Sequence, residues 1–282
     1  MSAIGVMRKD ILDVRRTKIV WFVGLLFTLI TALFFYQIHT FGGMEGFADV
    51  TLALWNLVFV GAMFIPAIAL VAAYLSIAGE RESGSIKFLL STPINRRELV
   101  LGKFLSRTAI VTASLLFAFV VSAILSLVWF SDLMIGTFLA VAALTTLYAL
   151  AYVAVAIAIS ASTASRSRAM GGALGFYFVT NLLVVFGDLS ITGLLRYVLN
   201  ELLGLGVGDD PITFMTMVIS PTQSYLSSTM LAFPEDFLTA NTLDPSTMSW
   251  YVQGEMGLAL LVAWLVVPLL IGIWRFDKAN IG

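Results

Sequence analysis

Apolar runs, each long enough to cross a bilayer, constrain this chain more than any other feature. A helix rises about 1.5 Å per residue, so about 20 residues cover a hydrocarbon core about 30 Å thick. We read six such spans: residues 19–37, 51–75, 108–130, 135–160, 170–186 and 255–274. None alternates with period two, which excludes a closed barrel, the other fold that satisfies its backbone in lipid. Only 12% of the 282 residues are charged, against about 25% in a soluble domain. The expected class is an all-α membrane protein. The second and fourth runs exceed the hydrocarbon thickness and are expected to tilt or project. Pro66 is expected to kink the second.

Charge predicts the orientation. With the N-terminus in the cytosol, Arg196 is the one basic residue of 16 that falls outside, together with eleven of the 17 acids. The reading is a multi-pass protein of the plasma or inner membrane with both termini cytosolic. Phe34, Phe35 and Tyr36 stand where a cleavable leader would need small residues, so the first run is read as a span. With no cysteine, the chain has no disulfide, thiolate metal site or cysteine nucleophile. His39 is the single histidine, too few for a histidine metal cluster. A net charge of −1 gives no sign of a nucleic-acid partner.

The chain divides accordingly. Residues 1–18 form an N-terminal amphipathic helix, 19–75 carry two spans, and 76–107 form a cytosolic segment. Residues 108–186 carry three spans, 187–254 a partly helical extracytosolic loop, and 255–282 the last span and a cytosolic tail. In the first segment Ile4, Met7, Ile11 and Val14 recur at helical spacing beside Arg8, Lys9, Arg15 and Arg16. Such a basic amphipathic helix lies in the headgroup layer, as a lipid anchor or as an elbow that also touches a cytosolic partner. In the outer loop, residues 192–205 read as an amphipathic surface helix and residues 214–219 as a second apolar patch ending at Ser220-Pro221. The rest of that loop reads as turn material.

The segment between the second and third spans is the most informative for function. Gly79 to Leu105 carries eight ionisable residues, among them Glu80, Arg81, Glu82, Arg96, Arg97 and Glu98. Residues 85–92 can form a short helix with Ile86, Leu89 and Leu90 on one side, stopped at Pro93. Asn95 can then cap a new helix, with Glu98 completing a capping box. An apolar knob with a charged rim suits docking to a soluble protein; an ordinary solvated loop fits the same residues.

Other motifs narrow the field. Gly102-Lys103 lacks the upstream glycine and following Ser or Thr of a Walker A loop, so that route to ATP is closed in this chain. The glycines at 204, 206 and 208 follow no strand and read as a turn. Carboxylates are absent from the span interiors, unlike ion-coupled transporters. No buried base stands ready to activate a serine, so no catalytic residue is assigned. Gly171-x-x-x-Gly175 permits close helix approach, within the chain or across a dimer. Met215, Met217, Met230 and Met248 in the outer loop are soft donors that a copper ion would accept, and equally serve as gap fillers.

Gly79, Glu80, Gly84, Ser85, Leu89, Leu90, Pro93, Arg96, Gly102 and Lys103 together resemble the membrane subunits of ABC-2-type transporters. The span count, the N-terminal helix, the long loop before the last span and Ser220-Pro221-Thr222 with Tyr225 agree with that resemblance. Within the family the layout most resembles the permeases that serve nitrous oxide reductase maturation. The resemblance implies that residues 79–105 are a coupling helix docking on a separate ATPase. Glu80, Arg81 and Glu82 would then be a polar hinge, Ile86, Leu89 and Leu90 the docking knob, and Arg96 and Arg97 its rim. It implies no cofactor in this chain, with ATP and magnesium on the partner subunit. A second permease chain, membrane lipids and an extracytosolic protein complete the expected partners. An exported lipid-like substrate, or force passed to the outer protein, would suit the uncharged spans. A non-transporting scaffold with an adaptor-binding loop is the alternative.

Overall fold

The computed structural model describes residues 4–7, 10, 18–42, 49–91, 94–181, 190–241 and 243–280, and all regular structure among them is helical. Long helices α1 (Lys18–Phe41) and α2 (Asp49–Ala73) lead into short helices α3 (Ala78–Glu82) and α4 (Ser85–Leu90). Then come α5 (Arg96–Phe130), α6 (Ile135–Ser162) and α7 (Arg166–Thr180). A run of shorter helices follows: α8 (Ile191–Arg196), extended by a π-helical turn over Tyr197–Leu202, α9 (Asp209–Ile219), α10 (Pro221–Thr229) and α11 (Glu235–Ala240). The long helix α12 (Gly254–Asp277) closes the chain.

Four helical stretches among the described residues are long and apolar enough to cross a membrane: Asp49–Glu82, Arg96–Phe130, Ile135–Ser162 and Gly254–Asp277. They match the second, third, fourth and sixth predicted spans. For the first, α1 shows a shorter apolar stretch, Leu25–Phe41, among residues whose side chains are described. For the fifth, α7 ends at Thr180 after 15 residues, and residues 182–186 of the expected span lie outside the described residues. Four of the six predicted spans thus coincide with helices long and apolar enough to cross a membrane.

At 35 residues, α5 is about 52 Å long, well beyond the hydrocarbon. Its polar first turns, up to Arg107, extend past the apolar part and carry the capping box that the sequence predicts. The Asn95 backbone N–H donates to Glu98 Oε2 at 2.9 Å. At the other end Ser131 and Met134 adopt left-handed backbone. Asp132 Oδ1 receives the N–H of Leu133 at 2.6 Å and of Met134 at 3.1 Å, closing a tight hairpin into α6. Aromatic residues gather at this same end. His39 stacks on Trp129 at 6.1 Å, where aromatic side chains mark the bilayer interface.

The core sits around α6, whose residues Tyr148 to Ile157 are almost all buried. Helix α6 packs chiefly on α12 and α2. Against these three lies α10, at whose N1 position Pro221 follows the capping Ser220. The sequence Pro221–Thr229, read as turn material, is thus a buried helix inserted among the spans. Gly257 makes the insertion possible: a Cβ there would stand 2.7 Å from the Ser228 backbone nitrogen.

Candidate functional site

The charged segment between α2 and α5 is fastened to the bundle rather than hanging from it. Ser160 Oγ, near the end of α6, accepts the backbone N–H groups of Ile77 and Ala78, both at 3.0 Å. These are donors that open α3 and have no partner inside the helix. Arg81 returns the favour at the C-terminus of α6, donating to the carbonyls of Ala161 (3.3 Å) and Thr163 (2.9 Å). Gly84, with φ +75°, then turns the chain into α4 through a left-handed conformation open to glycine. Glu82 accepts the backbone N–H of Arg166 at 2.5 Å, a carboxylate placed at the positive end of α7.

Arg96 does for α12 what Arg81 does for α6. Its guanidinium donates to the carbonyls of Phe276 (3.1 Å), Asp277 (2.9 Å) and Ala279 (2.7 Å). These are C-terminal acceptors that a cation satisfies well. Arg97 adds an ion pair to Asp277 at 2.7 Å, with its own side chain 74% exposed. Arg97 therefore lies at an exposed rim, whereas Arg96 is turned into the protein.

The docking knob is also redistributed. Ile86 is 1% exposed, and Leu89 and Leu90 are half-buried against the core. The stripe expected to face a partner faces the chain itself. Phe88, on the opposite side of α4, is 80% exposed. Its signal in the sequence is an apolar residue off the apolar stripe of a short amphipathic helix. Pro93 lies outside the described residues.

Behind the segment sits a buried charge cluster that the sequence reading did not assemble. Lys103 Nζ lies 2.5 Å from Asp10 Oδ1 and 2.5 Å from Glu80 Oε1. Ser106 Oγ donates to Asp10 Oδ2 at 2.6 Å, and Arg107 lies 3.2 Å from the same oxygen. Burial alone would push the Asp10 carboxyl up. The Lys103 and Arg107 charges, with hydrogen bonds from Lys103 and Ser106, outweigh it and hold the pKa below its ordinary 3.8. The cluster ties the N-terminal helical segment to both α3 and α5. On that segment Val6 and Asp10 face inward while Ile4 is 70% exposed and Met7 is half-buried. Ile11 and Val14 lie outside the described residues. An acid one turn after a buried Val, among the basic residues of the segment, was the available sign.

A second polar assembly lies where the spans are most apolar. Asn181 Nδ2 donates to Tyr152 Oη and Thr180 Oγ1, both at 2.8 Å, and Asn181 Oδ1 accepts from Thr222 at 2.7 Å. Tyr152 Oη is 2.8 Å from Thr222 Oγ1, and Tyr148 Oη donates to the Ala62 carbonyl at 2.9 Å. Thr145 and Tyr225 hydroxyls share a bond of 2.8 Å, and the Tyr148 and Tyr225 rings stack at 4.2 Å. One proton arrangement satisfies the hydroxyls around Asn181: Tyr148 to Ala62, Tyr152 to Thr222, Thr222 to Asn181 and Thr180 to the Phe176 carbonyl at 2.8 Å. Paired polar groups are what the interior of a bilayer-embedded bundle requires. The network locks α10 and the end of α7 to α6 and α2.

Gly171 and Gly175 on α7 are exposed, and a Cβ on either would meet nothing within 4 Å. Among the described residues no other helix uses the close approach that this pair permits. Of the outer methionines, Met217 is fully buried and Met230 packs on the core, as gap fillers do. No group of three or more metal-binding His, Asp or Glu side chains occurs among the described residues.

Comparison with known proteins agrees with this geometry. The family described as ABC-2 family transporter protein matches residues 4–281. A probable ABC transporter permease protein NosY of Pseudomonas aeruginosa is 29% identical over 194 residues, 67% of this chain and 70% of the relative. The protein of the same description from Stutzerimonas stutzeri is 26% identical over 285 aligned residues, 97% of each chain. Apolar membrane-crossing helices, a charged segment fastened to their ends and a match along almost the whole length converge: the chain belongs to the ABC-2 family of transporter proteins.

Proposed function

We propose that this chain is the transmembrane permease subunit of an ATP-driven exporter, coupled through residues 79–105 to an ATPase on a separate polypeptide. The supporting observation is the contrast within that segment. Phe88 is 80% exposed on the outer side of α4, while Arg81 and Arg96 bind the ends of α6 and α12. A partner that seats Phe88 and moves it would move the spans with it. ATP and magnesium belong to that partner, because the chain has no phosphate-cradling loop. Pairing of two permease chains through Gly171 and Gly175 follows from small residues that face outward and touch nothing in this chain. An amphipathic substrate, or force delivered to an extracytosolic protein, remains the reading of the uncharged interior. The scaffold alternative has no support in a family of transporters.

The test is Phe88→Asp in the full chain, co-expressed with the cassette ATPase. The exposed position predicts an unchanged melting temperature in detergent and loss of ATPase co-purification. Undiminished association would refute the docking assignment. Because the chain has no cysteine, Phe88→Cys also gives a single thiol for topology. An impermeant maleimide should label it in inside-out vesicles and not in intact cells.

A further inference from the structure

An apolar groove of about 500 Å³ runs along the outside of the bundle between α6, α7, α9 and α12. Its walls include Val155 from α6, Phe176 from α7 and Val218 from α9. The α12 wall runs from Leu260 through Trp264 to Ile271, residues on one helical face. Those eleven steps of about 1.5 Å make the wall about 16 Å long, one leaflet of a hydrocarbon core about 30 Å thick. The same face continues beyond the groove as Trp274, Arg275 and Lys278, all exposed. The Lys278 ammonium sits 4.4 Å from the Trp274 ring centroid and the Arg275 guanidinium 5.7 Å from it. Asp277, the neighbouring acid, is paired with Arg97, and neither Arg275 nor Lys278 forms an ion pair among the described residues.

We infer that this groove is a binding site for an anionic phospholipid, one acyl chain lying along α12 and the phosphate held by Arg275 and Lys278. The groove's length and volume suit a single acyl chain, and the two cations at its end suit a phosphate. A flexible hydrocarbon chain fits, and the walls give it no polar group to pair with. The two cations then stand at headgroup depth, where Trp is the usual interfacial residue. Unpaired positive charge there favours an anionic headgroup over a zwitterionic one.

The experiment uses the full chain with its ATPase in nanodiscs of mixed phosphatidylglycerol and phosphatidylethanolamine, followed by native mass spectrometry of the lipids retained. Retention of phosphatidylglycerol in preference to phosphatidylethanolamine is expected. The double variant Arg275→Gln, Lys278→Gln changes only exposed side chains and should reduce that preference about tenfold. Ala263→Phe, which fills the groove, should lower retention of both lipids. Val262→Phe, on an adjacent exposed face, should leave retention as it is. Equal retention of the two lipids by the parent chain would overturn the inference. So would unchanged retention in Ala263→Phe, or an efficient Ala263→Cys disulfide between two chains, which would put a second copy in the groove.

Discussion

Tyr148 donates its hydroxyl proton to the Ala62 carbonyl at 2.9 Å, and Ala62 lies four residues before Pro66 in α2. Proline has no N–H, so this carbonyl is the acceptor that the helix itself cannot satisfy. Tyr177 serves the next one, donating to the Met63 carbonyl at 3.1 Å. The proline and the tyrosine act as one unit, and a double-mutant cycle should reveal it. Tyr148→Phe should cost about 1–3 kcal/mol of stability by orphaning a buried carbonyl. In a Pro66→Ala background, where an N–H returns to α2, part of that cost should vanish. Chemical unfolding in detergent measures both, and equal costs in the two backgrounds would uncouple the pair.

Gly257 leaves no room for a side chain. A Cβ there would lie 2.7 Å from the Ser228 nitrogen and 2.9 Å from the Ser224 carbonyl oxygen, both backbone atoms of α10. Backbone cannot swing aside as a side-chain tip does. Gly257→Ala should therefore displace α10 and cost about 2 kcal/mol or more through overpacking. The reading is the hydrogen-exchange protection of residues 221–229, which should fall before that of α6.

The buried cluster at Lys103 gives a prediction with a defined pH sign. Lys103→Met removes the cation between Asp10 and Glu80 and should cost about 3 kcal/mol, because Glu80 loses its counter-charge and Asp10 keeps only Arg107. In the parent chain the Asp10 pKa is depressed in the folded state. Its contribution is therefore fully present above the ordinary value of 3.8 and disappears as pH falls through the lower folded value. Protection of residues 4–7 against hydrogen exchange should be flat from about pH 8 to pH 5 and collapse only below about pH 4. Loss of protection near neutral pH would contradict the assignment.

Features encoded over a few neighbouring residues were legible in the sequence. Asn95 and Glu98 cap α5 because both partners lie within one turn. The long apolar helices follow from hydropathy. What escaped depends on partners distant in sequence. Pro221–Thr229 is rich in hydroxyls and reads as an exposed turn. Its polarity is absorbed by bonds such as Ser224 to the Met217 carbonyl at 2.6 Å and Ser228 to the Tyr225 carbonyl at 2.7 Å. Thr222 finds Tyr152 and Asn181 across the bundle. The inward turn of Arg96 was equally invisible, since its carbonyl partners come some 180 residues later. Periodicity did place Ile86, Leu89 and Leu90 on one face of α4; it could not say that this face closes on the chain's own core.

The arginine clasp on α12 has a mechanical consequence. Arg96 grips one end of that helix, and at the other end Gly257 is pressed against α10 with no clearance. A piston stroke of α12 along its own axis would drive the flanking side chains of Gly254 to Leu261 into the α10 backbone. A tilt of the helix would instead have to carry α10 and the α6 and α2 residues linked to it. A push at the clasped end would thus be borne by the contact at Gly257.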